Sequence, residues 1–403
     1  MATLRSSMDT DQLRKVLEEA LSVAPSLTEP PYVLNLLLQD ADGGAPNANP
    51  SLVSLLHTIA KEPNLSIFNG MMQVQPGAAT RLEYTFAAAW LIRRAQAVGI
   101  EETLKNLLTY IETPTLPCHL TWIISGLKPQ STYDMGRGIS LIPWEALENS
   151  QQKQMVWEQY MMGFNWPTAA LVREFVANKM HVRPADSDKL GDLIKSPDDT
   201  ELHDAFQCLC LVGPYTSQVL ASWVGFPAWA PTLGSGLSLP QPEGHCPAQS
   251  LAPDTCQQGI DLFVAFCSRP PQFRALLRLA MQRLNRAMRR TSPVDSAIDL
   301  GIALEALYLN DLPEERNELT FRLKVRAARF SGKTGDEQRK IFSLVGDLYA
   351  MRSRAVHTGT LDATVKDKPV RDILSDGYSL AAKTMRQFIT QGKPSWDAVM
   401  FGG

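Results

Sequence analysis

Arg352 and His357, separated by Ser353-Arg354-Ala355-Val356, are the residues of this chain whose types and spacing suit chemistry. A guanidinium is a fixed cation that can grip non-bridging phosphate oxygens through two parallel hydrogen bonds. An imidazole changes its protonation near neutral pH and can move a proton. Together they supply what cleavage of a phosphodiester requires: proton transfer and neutralisation of developing negative charge. The pair lies in residues 344–359, LVGDLYAMRSRAVHTG, which read as the end of an amphipathic helix running into a polar break. Ile341, Val345 and Leu348 fall at helical spacing, and the next position on that face is Arg352. An arginine there calls for a partner or a wet cavity, because an unpaired guanidinium is costly to bury.

The elements that must hold this pair begin near Gly259, where the chain turns to continuous helix. Phe273, Leu277, Ala280, Leu284 and Met288 form one apolar stripe. Arg274, Arg278, Arg286, Arg289 and Arg290 lie largely off it, as a solvated face or as a rim for RNA. Ser292-Pro293-Val294-Asp295 starts the next helix, with Ser292 as cap, Pro293 at the first position and Asp295 near the positive end of the dipole. Along that helix Ile298, Ile302, Glu305 and Leu309 share a face, so Glu305 falls on the apolar stripe. Arg322, Arg326 and Arg352 are its candidate partners. An internal ion pair that fixes helix packing is the first expectation, ahead of a catalytic role for the glutamate. Residues 311–313 and 332–335 read as turns, residues 358–369 as a loop, residues 370–389 as a last helix, and the tail from residue 391 as irregular.

Arg352-Ser353-Arg354-Ala355-Val356-His357 resembles the R-x(4-6)-H signature of the HEPN superfamily. The run Ile298-Asp-Leu-Gly-Ile-Ala-Leu-Glu-Ala-Leu307 is similar to the second helix of its Apea-like branch. Residues 318–330, ELTFRLKVRAARF, are similar to the third. The resemblance covers residues 268–390. It implies an all-α bundle over residues 258–403 and a metal-independent endoribonuclease. It also implies a homodimer in which two motifs face one cleft, with Arg352 and His357 catalytic and no cofactor or metal. Ser353 stands where many active members carry Asn, Asp or His, and keeps a hydrogen-bond donor there. Ser353 and Glu305 are supporting residues in this reading, and Arg322, Arg326 and Arg354 are candidate RNA contacts. By analogy the protein acts in bacterial antiviral defence by abortive infection, with a phage-derived or cellular trigger acting on the N-terminal region. The other reading is a non-catalytic RNA- or nucleotide-binding scaffold.

Residues 1–257 read as a mixed α+β sensor or regulatory region ahead of that bundle. Leu13, Val16, Leu17 and Leu21 mark a first helix capped at Asp9 or Thr10. Residues 40–51 form a loop by composition, and residues 52–59 a short helix. Asn69-Gly70, between apolar segments at 65–68 and 71–74, predicts a hairpin. Two helices are expected at 84–98 and 101–111, separated by Gly99, and extended segments at 119–125 and 138–143. Met135-Gly-Arg-Gly138 reads as a turn, since it lacks a full phosphate-loop pattern. A helix is expected over 144–162, an apolar segment at 171–180, and a strand or a helix at 202–212. The stretch 234–257, rich in Pro, Gly, Ser and Gln, is the expected linker.

The chain of 403 residues has ample material for two or three cores, and its net charge of −3 conceals an asymmetry. Residues 268–403 hold 23 Lys+Arg against 15 Asp+Glu, a net of +8; the remainder holds 39 − 23 = 16 against 42 − 15 = 27, a net of −11. The basic part suits a polyanion, or the two parts attract each other. Six scattered cysteines form no disulfide framework, and His245-Cys246 with Cys256 fits no standard zinc spacing. No signal-peptide pattern and no membrane-spanning apolar run is present, so a cytoplasmic protein is expected.

Overall fold

The computed structural model describes residues 8–29, 31–232, 236–311 and 318–401. It opens on three helices, α1 (Thr10–Leu21), α2 (Pro31–Asp42) and α3 (Pro50–Lys61). Asp9 starts α1 by accepting from the Gln12 amide, and Asn49 starts α3 through the Ser51 amide. A 3₁₀ turn, Pro63–Phe68, leads to a hairpin of β1 (Met72–Gln75) and β2 (Ala78–Arg81). This corrects the hairpin expected about Asn69-Gly70. Pro63 opens a helical turn that Glu62 caps through the Asn64 amide, so residues 65–68 coil instead of extending. The hairpin turns one step later, at Pro76-Gly77, where Gly77 has φ +79°.

Helices α4 (Tyr84–Val98) and α5 (Ile100–Glu112) follow, divided at Gly99 as expected. Strands β3 (Thr115–Ser125), β4 (Leu127–Pro129), β5 (Tyr133–Gly136) and β6 (Ile139–Pro143) come next. Gly136, Arg137 and Gly138 all have positive φ and close the β5–β6 hairpin, with the Asp134 carboxylate accepting from the Gly136 amide. Only α6 (Gln151–Tyr160) and a short 3₁₀ turn, Trp144–Ala146, occupy the longer helix expected there. Then come β7 (Ala169–Asn178), β8 (Met180–Val182), the four-residue α7 (Leu190–Leu193), α8 (Thr200–Leu211), β9 (Gln218–Gly225) and β10 (Gln249–Leu251). Strand order is β5–β6–β7–β3–β9 in the main sheet and β2–β1–β8 in the smaller one. Within the stretch read as a linker, β10 pairs in parallel with β4 and Cys246 is buried, so those residues pack.

From Pro253 the chain is helical: α9 (Pro253–Cys267), α10 (Pro271–Arg289), α11 (Pro293–Tyr308), α12 (Leu319–Ser331), α13 (Gly335–Thr358), α14 (Val370–Gln391) and α15 (Trp396–Phe401). Ser292 caps α11 through the Asp295 amide, as its sequence predicts. A small hairpin, β11 (Thr364–Val365) with β12 (Lys368–Pro369), lies in the loop before α14. Helix α15 replaces the irregular tail: Trp396 is buried against Phe330 and Phe388, so apolar contact orders the segment. Leu312 and Pro313 of the expected turn after α11 lie outside the described residues. The molecule is thus mixed, with its main sheets in the N-terminal half and helices filling the C-terminal part.

Two compact units interleave along the chain. The first takes the described residues up to Leu120 with Glu174–Pro197 and Trp223–Gly236. The second takes Thr121–Arg173, Asp198–Ser222 and the chain from Leu237. In the second unit α8 is buried on nearly every side, from Asp204 through Leu211. Cys208 and Cys210 lie there among core residues, and burial pushes both thiols up, Cys210 to about 12. Helices α11, α13 and α14 meet at Gly377, where a Cβ would stand 2.7 Å from Leu300 and 2.8 Å from Leu348 side-chain atoms.

Candidate active site

Arg352 and His357 both lie on α13, a continuous helix that Thr334 starts and Gly359 ends in the left-handed conformation, φ +67°. The buried positions of its last turns are Leu348, Met351 and Ala355. Arg352 therefore sits at the edge of the apolar face, half-buried, and not in the core as the spacing from Leu348 suggested. His357 is exposed in the last turn. A five-residue separation on an α-helix is ~7.5 Å of rise and a turn of ~140° around the axis. The two side chains therefore leave α13 in different directions.

Glu305 of α11 meets Arg352, with Nη2 3.4 Å from Oε2. Both side chains keep more than a quarter of their area exposed. This is a partly wet ion pair at a helix seam, and the Nε of Arg352 is buried without a hydrogen-bond partner. Gly301, one turn before Glu305, makes the pairing possible: a Cβ there would stand 2.5 Å from the Arg352 Cγ. The arginine stem crosses α11 where that helix has no side chain. Sequence reasoning named Glu305 and Arg352 but missed Gly301. A glycine inside a helical pattern, four residues before a glutamate on the same face, was the available signal.

The other candidates disperse. Arg326 is buried and bonds Asp311 at 2.6 Å and the Tyr308 carbonyl at 2.7 Å, with its guanidinium over the Trp396 ring. Arg326, expected as an RNA contact, is thus engaged in packing within the helical part of the chain. Arg322 is exposed on α12. Arg354 is exposed and pairs with Asp362 of the following loop, and Lys366 of that loop reaches Asp347 at 2.6 Å. These two ion pairs tie the loop along the end of α13, and within the helix Thr358 donates back to the Arg354 carbonyl at 2.9 Å. Ser353 is half-buried beside Arg352.

The arginines of α10, one reading of which was a rim for RNA, are mostly engaged. Arg278 clamps the fully buried Asp204 of α8 with two bonds, 2.7 and 2.8 Å. Arg283 and Arg290 bond Asp299, and Arg286 and Arg289 approach Glu243 at 3.4 and 3.8 Å. In the first unit, α1, α3 and the loop after α2 border a groove of about 890 Å³ that includes Asp9, His57, Lys61 and Glu62. Among the described residues no cluster of three or more His, Cys, Asp or Glu side chains suits a metal ion, and no helix is long and apolar enough to cross a membrane. Comparison with protein-family models, with curated proteins and with solved structures found no match.

Proposed function

We propose that the chain is a homodimeric endoribonuclease of the HEPN type, serving bacterial antiviral defence by abortive infection. One observation carries the reading. Arg352 is held half-buried against Glu305 over Gly301, with its Nε unpartnered, five residues before an exposed histidine on the same helix. A guanidinium that stays more than a quarter exposed at a helix seam suits the non-bridging oxygens of a phosphodiester. In this reaction His357 takes the proton of the 2′-hydroxyl as its oxygen attacks phosphorus. Arg352 stabilises the crowded phosphorane. The partner subunit's His357 protonates the 5′-oxygen as the P–O5′ bond breaks. The products are a 2′,3′-cyclic phosphate and a 5′-hydroxyl. One histidine does not serve both proton transfers, so the reaction uses the histidines of two copies of α13. Arg322 and Arg354 remain the exposed cations for the RNA backbone, and the groove of the first unit suits a triggering ligand.

The same site, with Arg352 already paired to Glu305, also fits a binding module that holds RNA or a nucleotide without cleaving it. The assay that separates the two uses total RNA in EDTA with the parent, Arg352→Ala and His357→Ala proteins. Cleavage by the parent that leaves cyclic phosphates and falls ~10²–10⁴-fold in each variant supports the nuclease. A variant as active as the parent removes the assigned site. Binding that weakens steeply with salt, without cleavage, supports the module.

A further inference from the structure

The end of α6 and the segment after it expose apolar side chains to an unusual degree. Met162 is 90% and Phe164 85% exposed, and Trp157, Met161 and Trp166 are each two-fifths exposed or more. Isolated exposed apolar residues are ordinary; five within ten positions are not. Nor is this a loose loop. The Tyr160 hydroxyl donates to the Leu220 carbonyl at 2.9 Å. The buried Asn165 side chain donates to the Gly244 carbonyl and accepts from the Cys246 amide, both at 2.9 Å. The Gly163 amide closes a turn on the Tyr160 carbonyl at 3.0 Å. Two anchors therefore hold the knuckle between them, and Met162 and Phe164 project from it. Trp157 and Trp166 meet with ring centroids 5.6 Å apart, and Phe164 meets His245 edge-on at 6.4 Å. The surface is preformed, so little conformational entropy is lost when it docks.

We propose that this knuckle is a self-association surface, whose occupant is the same knuckle on a second copy of the chain. Area and charge argue for it. Taking roughly 150–250 Å² for each large side chain, the five expose on the order of 600 Å². A standard interface takes about 800 Å² from each partner. The segment from Gln154 to Thr168 contains one charged residue, Glu158, which accepts from Gln154. With a single charge on each, two such patches meet with little like-charge repulsion, and a two-fold pairing sets each patch against itself. The same lack of cations speaks against an anionic membrane surface, which recruits Lys and Arg beside its apolar anchors. Met161 and Met162 have flexible, polarizable side chains that adapt to a copy of themselves. Neither Arg352 nor His357 enters this pairing, but it rests on the proposed function in one respect: its two-fold is the one that brings two α13 helices together there, so a dimer that survives the Asp substitutions overturns the knuckle and leaves the nuclease reading standing.

The test measures mass in solution by light scattering across a concentration series, for the full-length parent, Met162→Asp, Phe164→Asp and His357→Ala. Since Met162 and Phe164 are nearly fully exposed, their thermal midpoints should match the parent's, which separates lost docking from lost folding. The expected result is a parent at twice the 44.6 kDa chain mass, the same mass for His357→Ala, and a mass near that of one chain for each Asp variant. A parent that stays at one chain mass up to about 100 μM overturns the proposal. So does a dimer that survives both Asp substitutions, which assigns pairing to another face. So does co-sedimentation of a monomeric parent with phosphatidylcholine vesicles that the Asp variants lose, which makes the knuckle a lipid anchor.

Discussion

His181, in β8, shows how a single residue couples this fold to pH. It lies against Tyr110, with Nε2 3.3 Å from the phenol oxygen, which also accepts from Gln73 at 3.0 Å. Burial first, and the Lys179 charge second, push its pKa down to about 4. Lys179 itself bonds carbonyls at the end of α5 and lies over the Tyr110 ring. Both contacts favour the ammonium, but burial opposes it and wins, lowering this lysine to about 8. A histidine whose folded pKa is depressed leaves stability intact above its unfolded value near 6.5 and lowers it as pH falls toward 4, because the unfolded chain then binds the extra proton. His181→Gln should flatten that fall by on the order of 2 kcal/mol between pH 7 and pH 4, measured by urea unfolding. An unchanged pH slope would mean that the ring is solvated. Sequence could not single out His181, since its neighbours on α5 are some seventy residues away.

At the scale of elements, α11 and α13 approach closely because α11 presents Gly301 to the Arg352 stem. Gly301→Ala should destabilise the chain by about 1–3 kcal/mol through overpacking, although alanine is the better helix former by about 1 kcal/mol. In an Arg352→Ala background most of the clash disappears, and the same substitution should become neutral or stabilising. A double-mutant cycle by chemical denaturation reads the coupling; additive effects would show that the stem does not cross at Gly301. Helix caps at Asp9 and Ser292 were legible because capping is local, set by residues within one turn. The hairpin at residues 65–74 was misread for a related reason. Asn69-Gly70 is a strong turn signal, but Glu62 and Pro63 had already committed the preceding residues to a helical turn.

For the whole molecule, the charge asymmetry acquires a concrete meaning inside the second unit. Arg278 from the basic C-terminal stretch neutralises Asp204, which is fully buried on α8. Arg278→Met leaves that carboxylate unpaired and should cost about 3–5 kcal/mol in a chemical melt. Adding Asp204→Asn should restore much of the loss, because the penalty belongs to the orphaned charge. A double variant no more stable than Arg278→Met would show that water reaches Asp204.

Much of the architecture was determined by the sequence alone, wherever the determining interactions are local. These include helices at 84–98 and from residue 259 onward, the break at Gly99, the Gly136–Gly138 turn, and a sheet-bearing N-terminal half. The motif Arg352–His357 and its location on a helix end were legible for the same reason. Tertiary structure alone decided which carboxylate meets which arginine. Glu305 took Arg352 and not Arg322, while Arg326 went to Asp311. It also decided that residues 202–212 form a buried helix, that a tail tryptophan orders α15, and that Met162 and Phe164 stand exposed. Ion pairing and exposure depend on which helices become neighbours, a property set by long-range packing and not by the spacing of residues along the chain.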